Sequence, residues 1–419
     1  MSGRLLWLAW RNLWRNPRRT LIAMAAIGLG YAMLLFVACL MAGLRQQMIE
    51  SGTGLVLSDV EVHAPSYYPD RPTDQTLGGR NGTEVSALVA AIAADPRVQA
   101  ASPRVYGYGL VSATHQSAGA QLLGVVSDQE QKITVLQTRM VKGSYLTGRM
   151  PKGIVMGDKL ATTIGVEVGS EIVLLTPAAD GSTGNDLYTV AGMFHTGLDD
   201  MDRGLVLMSL ASLQELLRLP PGRIHEVGIK LHDIAAATTA AAALEAQLNK
   251  TLPVRVRAWP ELAPELADYV QFNRRVTFIL FFIFFLLAVM GIVNTMLMAI
   301  IERTRELGML MAVGMRPVQV VGLIVAEAAS LAGASLVLGA ALGTPLLWYL
   351  QVHGLNMGGD HRGAVSLAGV VVGPLWYGRQ DFTAYTQAAL GLAVTALVSA
   401  LYPALRAARF RPTEALRKV

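Results

Sequence analysis

Residues 276–301 read VTFILFFIFFLLAVMGIVNTMLMAII, and residues 302–316 directly after them read ERTRELGMLMAVGMR. The first stretch carries no charge. A bilayer core of about 30 Å is crossed by roughly 20 apolar residues in helical form, so it reads as a membrane span. The second stretch carries Glu302, Arg303, Arg305, Glu306 and Arg316, and those charges belong outside the hydrocarbon. Working outward, three further stretches qualify as spans: 20–44, 317–351 (uncharged from 328 onward) and 384–405. Nothing between 45 and 275 reaches that length without a charge. The chain averages accordingly: 53% hydrophobic and 16% charged among 419 residues, with a mean hydropathy of +0.42. Ordinary domains carry about 25% charged residues. Disorder, a nucleic-acid module and a fully soluble enzyme are excluded as first readings.

Charge sets the expected orientation. Segments 1–19, 302–316 and 406–419 together hold 13 basic and 3 acidic residues, whereas 45–275 holds 20 basic and 24 acidic. Basic loops stay in the cytoplasm. Four spans put all three basic segments on that side, with both termini inside and a domain of 45–275 outside. The segment 352–383 forms a second outer loop. The net charge of +5 thus reports topology and gives no reason to expect nucleic acid. The first apolar run is too long for a signal-peptide core of about 7–15 residues, so it is expected to remain as an anchor. Cys39 is the only cysteine, which excludes an intrachain disulfide.

The first sixteen residues read as an amphipathic helix. At 100° per residue, Leu6, Trp7, Trp10, Leu13 and Trp14 share one arc, and Arg4, Arg11, Arg15 and Arg18 fall beside it. Such a helix lies in the membrane interface, with Trp7, Trp10, Trp14, Arg11 and Arg15 as its lipid contacts. Pro17 forbids a straight continuation. The outer domain mixes two periods. Segments 59–63, 121–126, 171–176, 187–193, 205–208, 227–231 and 254–258 are strand-like; 85–94, 210–217, 234–250 and 261–273 are helix-like. An α+β domain follows, with two lobes expected. The last helical segment leads straight into the second span. In the third span, Ser335, Gly339 and Gly343 stand at four-residue spacing, which lets helices approach closely. They serve either packing within one subunit or a dimer interface. Thr344-Pro345 is expected to bend or end that helix.

Catalytic signatures are absent. Segment 143–150, GSYLTGRM, has the glycine spacing of a phosphate-binding loop but lacks its Lys and Ser/Thr, so a turn is the better reading. No HExxH or GxSxG occurs. His353, Asp360 and His361 share a Gly-rich outer loop, but their spacing fits no standard metal site. Glu327 is the one acid within the spans. A buried pair with arginine, or a helix-contact hydrogen bond, is expected of it in preference to a proton-coupled role. In 302–316, Glu302–Arg305 and Arg303–Glu306 stand at i,i+3 and support a short helix. Its apolar face (Leu307, Leu310, Met311) calls for a protein partner.

These residues carry a resemblance. ERTRELGMLMAVGM resembles the E-R-T-R-E-[IF]-G-x-L-[RK]-A-[LV]-G segment of FtsX-like ABC-transporter permeases, with Met311 in place of a basic residue. YPALRAARFRPTEALR resembles the family's P-x-x-R-A-A-x-x-x-P-x-E-A-L-R ending, and LAWRNLWRNPRRTLIAMAAIGLG its start. VKGSYL, followed by GIVMGDKLATTIGVEVGSEIVLL, resembles a MacB-like periplasmic core. The whole chain is most similar to the lipoprotein-releasing, LolC/LolE-like branch. The resemblance implies a membrane α-helical protein of four transmembrane helices, with a large α+β extracytoplasmic domain between helices 1 and 2, in the bacterial inner membrane. It implies a partner: a cytoplasmic ABC ATPase dimer that binds ATP and Mg, this chain binding no cofactor or metal and having no catalytic residue. Glu302, Arg303, Arg305, Glu306, Leu307, Gly308 and Gly314 would form the coupling helix. A second permease subunit, identical or a paralogue, would complete the assembly. A periplasmic lipoprotein, carrier or adaptor would be engaged outside, and membrane lipids around the spans. Two other functions stay open: a signalling module that activates a cell-wall hydrolase, and the permease of a tripartite drug or peptide exporter.

Overall fold

The computed structural model describes residues 2–55, 57–79, 85–113, 116–148, 150–220, 222–250, 252–356, 365–367, 370–372, 375–380 and 382–409. The chain forms two units. One comprises Met1–Gln46, Val270–Gly359 and Leu375–Val419; the other comprises Gln47–Tyr269 and Asp360–Pro374.

The first unit is helical. Helix α1 spans Ser2–Leu13 and α2 Pro17–Leu55; α3 spans Pro264–Glu302, α4 Thr304–Ala312, α5 Pro317–His353 and α6 Phe382–Ala408. Helices α2, α3, α5 and α6 are each long and apolar enough to cross a membrane. Pro17 opens α2, where its fixed φ and missing N–H cost nothing. From Pro264 onward, the expected segment 261–273 and the second span belong to the single helix α3; Glu261 and Leu262 close the short helix Trp259–Leu262 before it. Ile27, Tyr31 and Leu35 of α2 share a core with Ile292 of α3, Leu331 and Leu347 of α5, and Leu392 of α6.

The small-residue stripe is filled from within the chain. A Cβ on Gly339 would stand 2.4 Å from the Gly28 carbonyl oxygen and 2.9 Å from the Tyr31 ring, so only glycine fits there. Gly343 lies against Ala32, and the Ser335 carbonyl against Gly28. The stripe therefore packs α5 on α2. Pro345 does not end α5, which runs to His353. Proline is tolerated in membrane helices because neighbouring groups satisfy the freed backbone, and Thr344 Oγ1 donates to the Ala340 carbonyl in the turn before it (2.7 Å). At the other end of α2, the Cys39 carbonyl accepts from the Arg379 N–H (3.0 Å), tying the segment before α6 to that helix.

The second unit is built on one sheet. Its strands are β1 (Val60–His63), β2 (Val98–Ser112), β3 (Ser117–Val125), β4 (Met140–Gly143), β5 (Gly153–Gly157), β6 (Glu171–Pro177), β7 (Thr183–Phe194), β8 (Leu205–Ser209), β9 (Glu226–Leu231) and β10 (Arg255–Ala258). They lie in the order β10-β1-β9-β2-β3-β8-β5-β7-β4, with β6 joining β2 and β7. Pairs β3–β8 and β5–β7 are parallel; the other pairs of this sheet are antiparallel. The strands join in a single sheet, because β2 is long enough to pair with β9, β3 and β6 together. This strand escaped the sequence reading. Pro103, Gly107 and Gly109 interrupt its pattern, and both residue types are rare in strand interiors.

Candidate functional site

The charged stretch after α3 breaks that helix at Arg303 and restarts it as α4. Arg303 (φ −107°, ψ 14°) is the residue at the break. The inner side of α4 is apolar: Leu307, 3% exposed, packs with Ile300, Val320, Ile324, Ala404 and Ala407, and Met311 lies half-buried against them. Gly308 is buried beside Leu307. The outer side is open. Arg305, Met309, Leu310 and Ala312 are exposed, and Val313, just past the helix, is 89% exposed. Gly314 follows with φ +106°, in the left-handed region that only glycine occupies without strain, and turns the chain towards α5.

Ion pairs fasten the edges of α4. Arg15 makes a two-pronged contact to Glu306, with Nη1 to Oε2 at 2.7 Å and Nη2 to Oε1 at 2.6 Å. Arg303 Nε donates to the same Glu306 Oε2 (3.2 Å). Hydrogen bonding from Arg15 holds the Glu306 carboxyl below the usual carboxylate range. Arg19 donates to Glu302 (2.8 Å) and to the Thr295 carbonyl. Glu327, 7% exposed, accepts from Asn12 Nδ2 (2.7 Å) and Arg303 Nη1 (3.0 Å). Of the two i,i+3 pairs read from the sequence, Arg303–Glu306 forms. Glu302 turns to Arg19 instead, and no ion pair of Arg305 occurs among the described residues.

Helix α1 presents two faces. Ala9, Asn12 and Leu13 face the protein. Trp7, Trp10 and Trp14 are exposed, with Arg11 over the Trp7 ring and Trp10 edge-on to Trp14. One assignment changes and one gains a partner. Leu13 leaves the tryptophan arc for the core, because the helix sits on protein along that side. Arg15 is also an ion-pair partner of Glu306, with its side chain still more than half exposed. The side chains of Arg4 and Leu6 lie outside the described residues, as does most of the basic tail. Asn12 and Arg19 were not singled out from the sequence. The only signal was their place beside the tryptophan arc, which reads equally well as lipid contact.

In the second unit, Arg104 is fully buried. It donates to both oxygens of Glu130 (2.6 and 3.2 Å) and to Ser58 (3.0 Å), with Glu226 at 3.5 Å. Burial, and then neighbouring Glu61, push the Glu226 carboxyl up to about 8. Elsewhere His195 Nδ1 lies 3.0 Å from Asp158 and 3.2 Å from Asp202. Three such groups have the chemistry to hold a metal, but Asp202 is already bonded to the Thr196 N–H and hydroxyl and to the Gly197 N–H. It reads as the clasp of its own loop. Gly143 of the expected turn ends β4. His353 stacks on Tyr349, and its proposed companions Asp360 and His361 lie outside the described residues.

Two family models match this chain: a MacB-like periplasmic core domain over residues 20–247, more than half its length, and an FtsX-like permease C-terminal domain over 278–412. The chain belongs to the MacB-like, FtsX-like permease family. The permease is 26% identical over 419 residues to the lipoprotein-releasing system transmembrane protein LolC of Xylella fastidiosa, covering 96% of this chain and 95% of that one. It is 24% identical over 431 residues to the lipoprotein-releasing system transmembrane protein LolE of Haemophilus influenzae, covering 98% and 97%. Among solved structures, the periplasmic region of MacB from Actinobacillus actinomycetemcomitans matches 53% of the permease and 99% of its own length, with 12% identity and a TM-score of 0.36.

Proposed function

We propose that this permease is the membrane subunit of an ABC transporter of the lipoprotein-releasing kind. A separate ATPase dimer docks on α4, binds and hydrolyses ATP with Mg, and moves the helices. That motion reaches the outer domain and lifts a lipid-anchored or amphipathic substrate from the membrane. The permease itself catalyses nothing, and a second permease subunit, identical or a paralogue, pairs with it. The basic segments face the cytoplasm, and 45–275 faces the periplasm.

The observation that carries this reading is α4. It is a short helix between two membrane-length helices, firmly seated on its inner side and open on its outer side. Arg305, Met309, Leu310 and Val313 offer an apolar surface with one cation, which a protein groove would cover. Near full-length similarity to lipoprotein-releasing permeases supports the substrate class. The test is Met309→Glu with Leu310→Glu in the full-length permease, co-expressed with the candidate ABC ATPase of the same organism. Loss of ATPase co-purification, with the permease still monodisperse, is the expected result. Unchanged capture would reject α4 as the docking helix. Release of a lipidated probe protein from proteoliposomes then separates substrate release from hydrolase activation and from drug export.

A further inference from the structure

A carboxylate within a span is costly and needs a partner, and Glu327 of α5 has two, drawn from two other elements. Asn12 comes from α1, and Arg303 sits at the break between α3 and α4. Arg303 reaches Glu327 with Nη1 while its Nε holds Glu306, which also takes the Arg15 fork. One acid therefore gathers α1, α4 and α5. The helix breaks at Arg303, whose N–H still bonds the Ala299 carbonyl and whose carbonyl accepts from the Leu307 N–H, so the angle of α4 is not that of one continuous helix. Leu307 seats the inner side of α4 on Val320 and Ile324 of α5, and the polar contacts of Arg303 and Glu306 hold its N-terminal edge. A cavity of about 180 Å³ opens beside the carboxylate, lined by Asn12, Arg19, Thr20, Thr295, Arg303 and Glu327. Hydrogen bonds hold Asn12, Arg303 and Glu327 together at the edge of that cavity.

We propose that Glu327 is a positioning residue for α4: through Arg303 and Asn12 it fixes the angle between α4 and α5, so that a displacement of α4 carries α5 with it. The second half of this statement rests on α4 as the ATPase-docking helix; the first half does not.

The experiment uses the full-length permease in nanodiscs, with Cys39→Ser and nitroxide labels on Leu310→Cys and Leu346→Cys, both exposed sites on α4 and α5. Pulsed electron paramagnetic resonance should give a narrow distance distribution. Glu327→Gln should broaden it, and Glu327→Arg combined with Arg303→Glu should narrow it again. An unchanged distribution in Glu327→Gln would overturn the proposal. Should that variant fail to fold, Asn12→Ala removes one donor only and must still broaden the distribution; no change there would equally overturn it. With the ATPase present, Glu327→Gln should keep ATPase capture and lower release of a lipidated probe protein by roughly tenfold. Full release would overturn transmission through Glu327. If the unmodified permease captures no ATPase, the docking reading of α4 fails, and the spin-label result still decides what Glu327 does.

Discussion

At the residue scale, buried Glu226 makes the stability of the outer domain depend on pH. Glu226 keeps its proton in the folded state up to about pH 8, whereas an unfolded glutamate loses it near 4.3. The folded state therefore binds more protons between those values. The contribution of Glu226 is present below the unfolded value and is lost as pH rises towards 8. Buried His63 and His225 act in the opposite sense. Burial lowers both, so their contribution is present above the unfolded histidine value and is lost as pH falls below it. Glu226→Gln should flatten the decline in melting temperature between pH 7 and 8, where the histidines no longer titrate; scanning calorimetry of the full chain at those pH values checks this. A slope as steep as the unmodified protein's would show that Glu226 is ionised when folded. None of this was legible in the sequence. Glu61, Arg104, Glu130 and Glu226 are far apart along the chain and look like ordinary surface charges until β1, β2, β9 and the short helix Ser127–Glu130 bring them together.

At the element scale, α2 and α5 approach closely at Gly28 against Gly339. Gly339→Val would push side-chain carbons into the Gly28 carbonyl and the Tyr31 ring. Overpacking of this kind costs about 1–3 kcal/mol. A lowered melting temperature in detergent is expected, with little effect from alanine at Gly333, where a Cβ meets nothing. Equal effects at both positions would deny the contact its importance. Length and hydropathy reveal the four long helices because each must bury or shield an entirely apolar surface. The spacing of Ser335, Gly339 and Gly343 also marks a close contact, but periodicity within one helix carries no information on which helix comes to meet it. The same limit applies to α1. Its pattern was plain, yet the side taken by Asn12 and Leu13 depends on α5, whose arrival no local rule anticipates. Strand β2 was hidden for the converse reason: its pairing partners on both sides outweigh the weak local propensity of its prolines and glycines.

At the scale of the whole molecule, a basic, hydrophobic average separates into an apolar bundle with basic cytoplasmic-type segments and an outer unit of slightly acidic balance. The charges and apolar face of the ERTRELG stretch were legible as a short helix at the end of a span; the coupling role came only with the family resemblance. What it could not disclose is how its charges divide. Glu302, Arg303 and Glu306 are committed to Arg19, Glu327 and Arg15 within the chain, which leaves Arg305 and a row of apolar side chains facing outward. An interface built that way owes little to attraction between charges, and screening by added salt acts only on such attraction. Capture of the ATPase should therefore survive a rise from low to about 0.5 M sodium chloride, where the Debye length falls to a few ångströms; a complex that dissolves over that range would mean that the arginines and glutamates abandon one another to grip the partner.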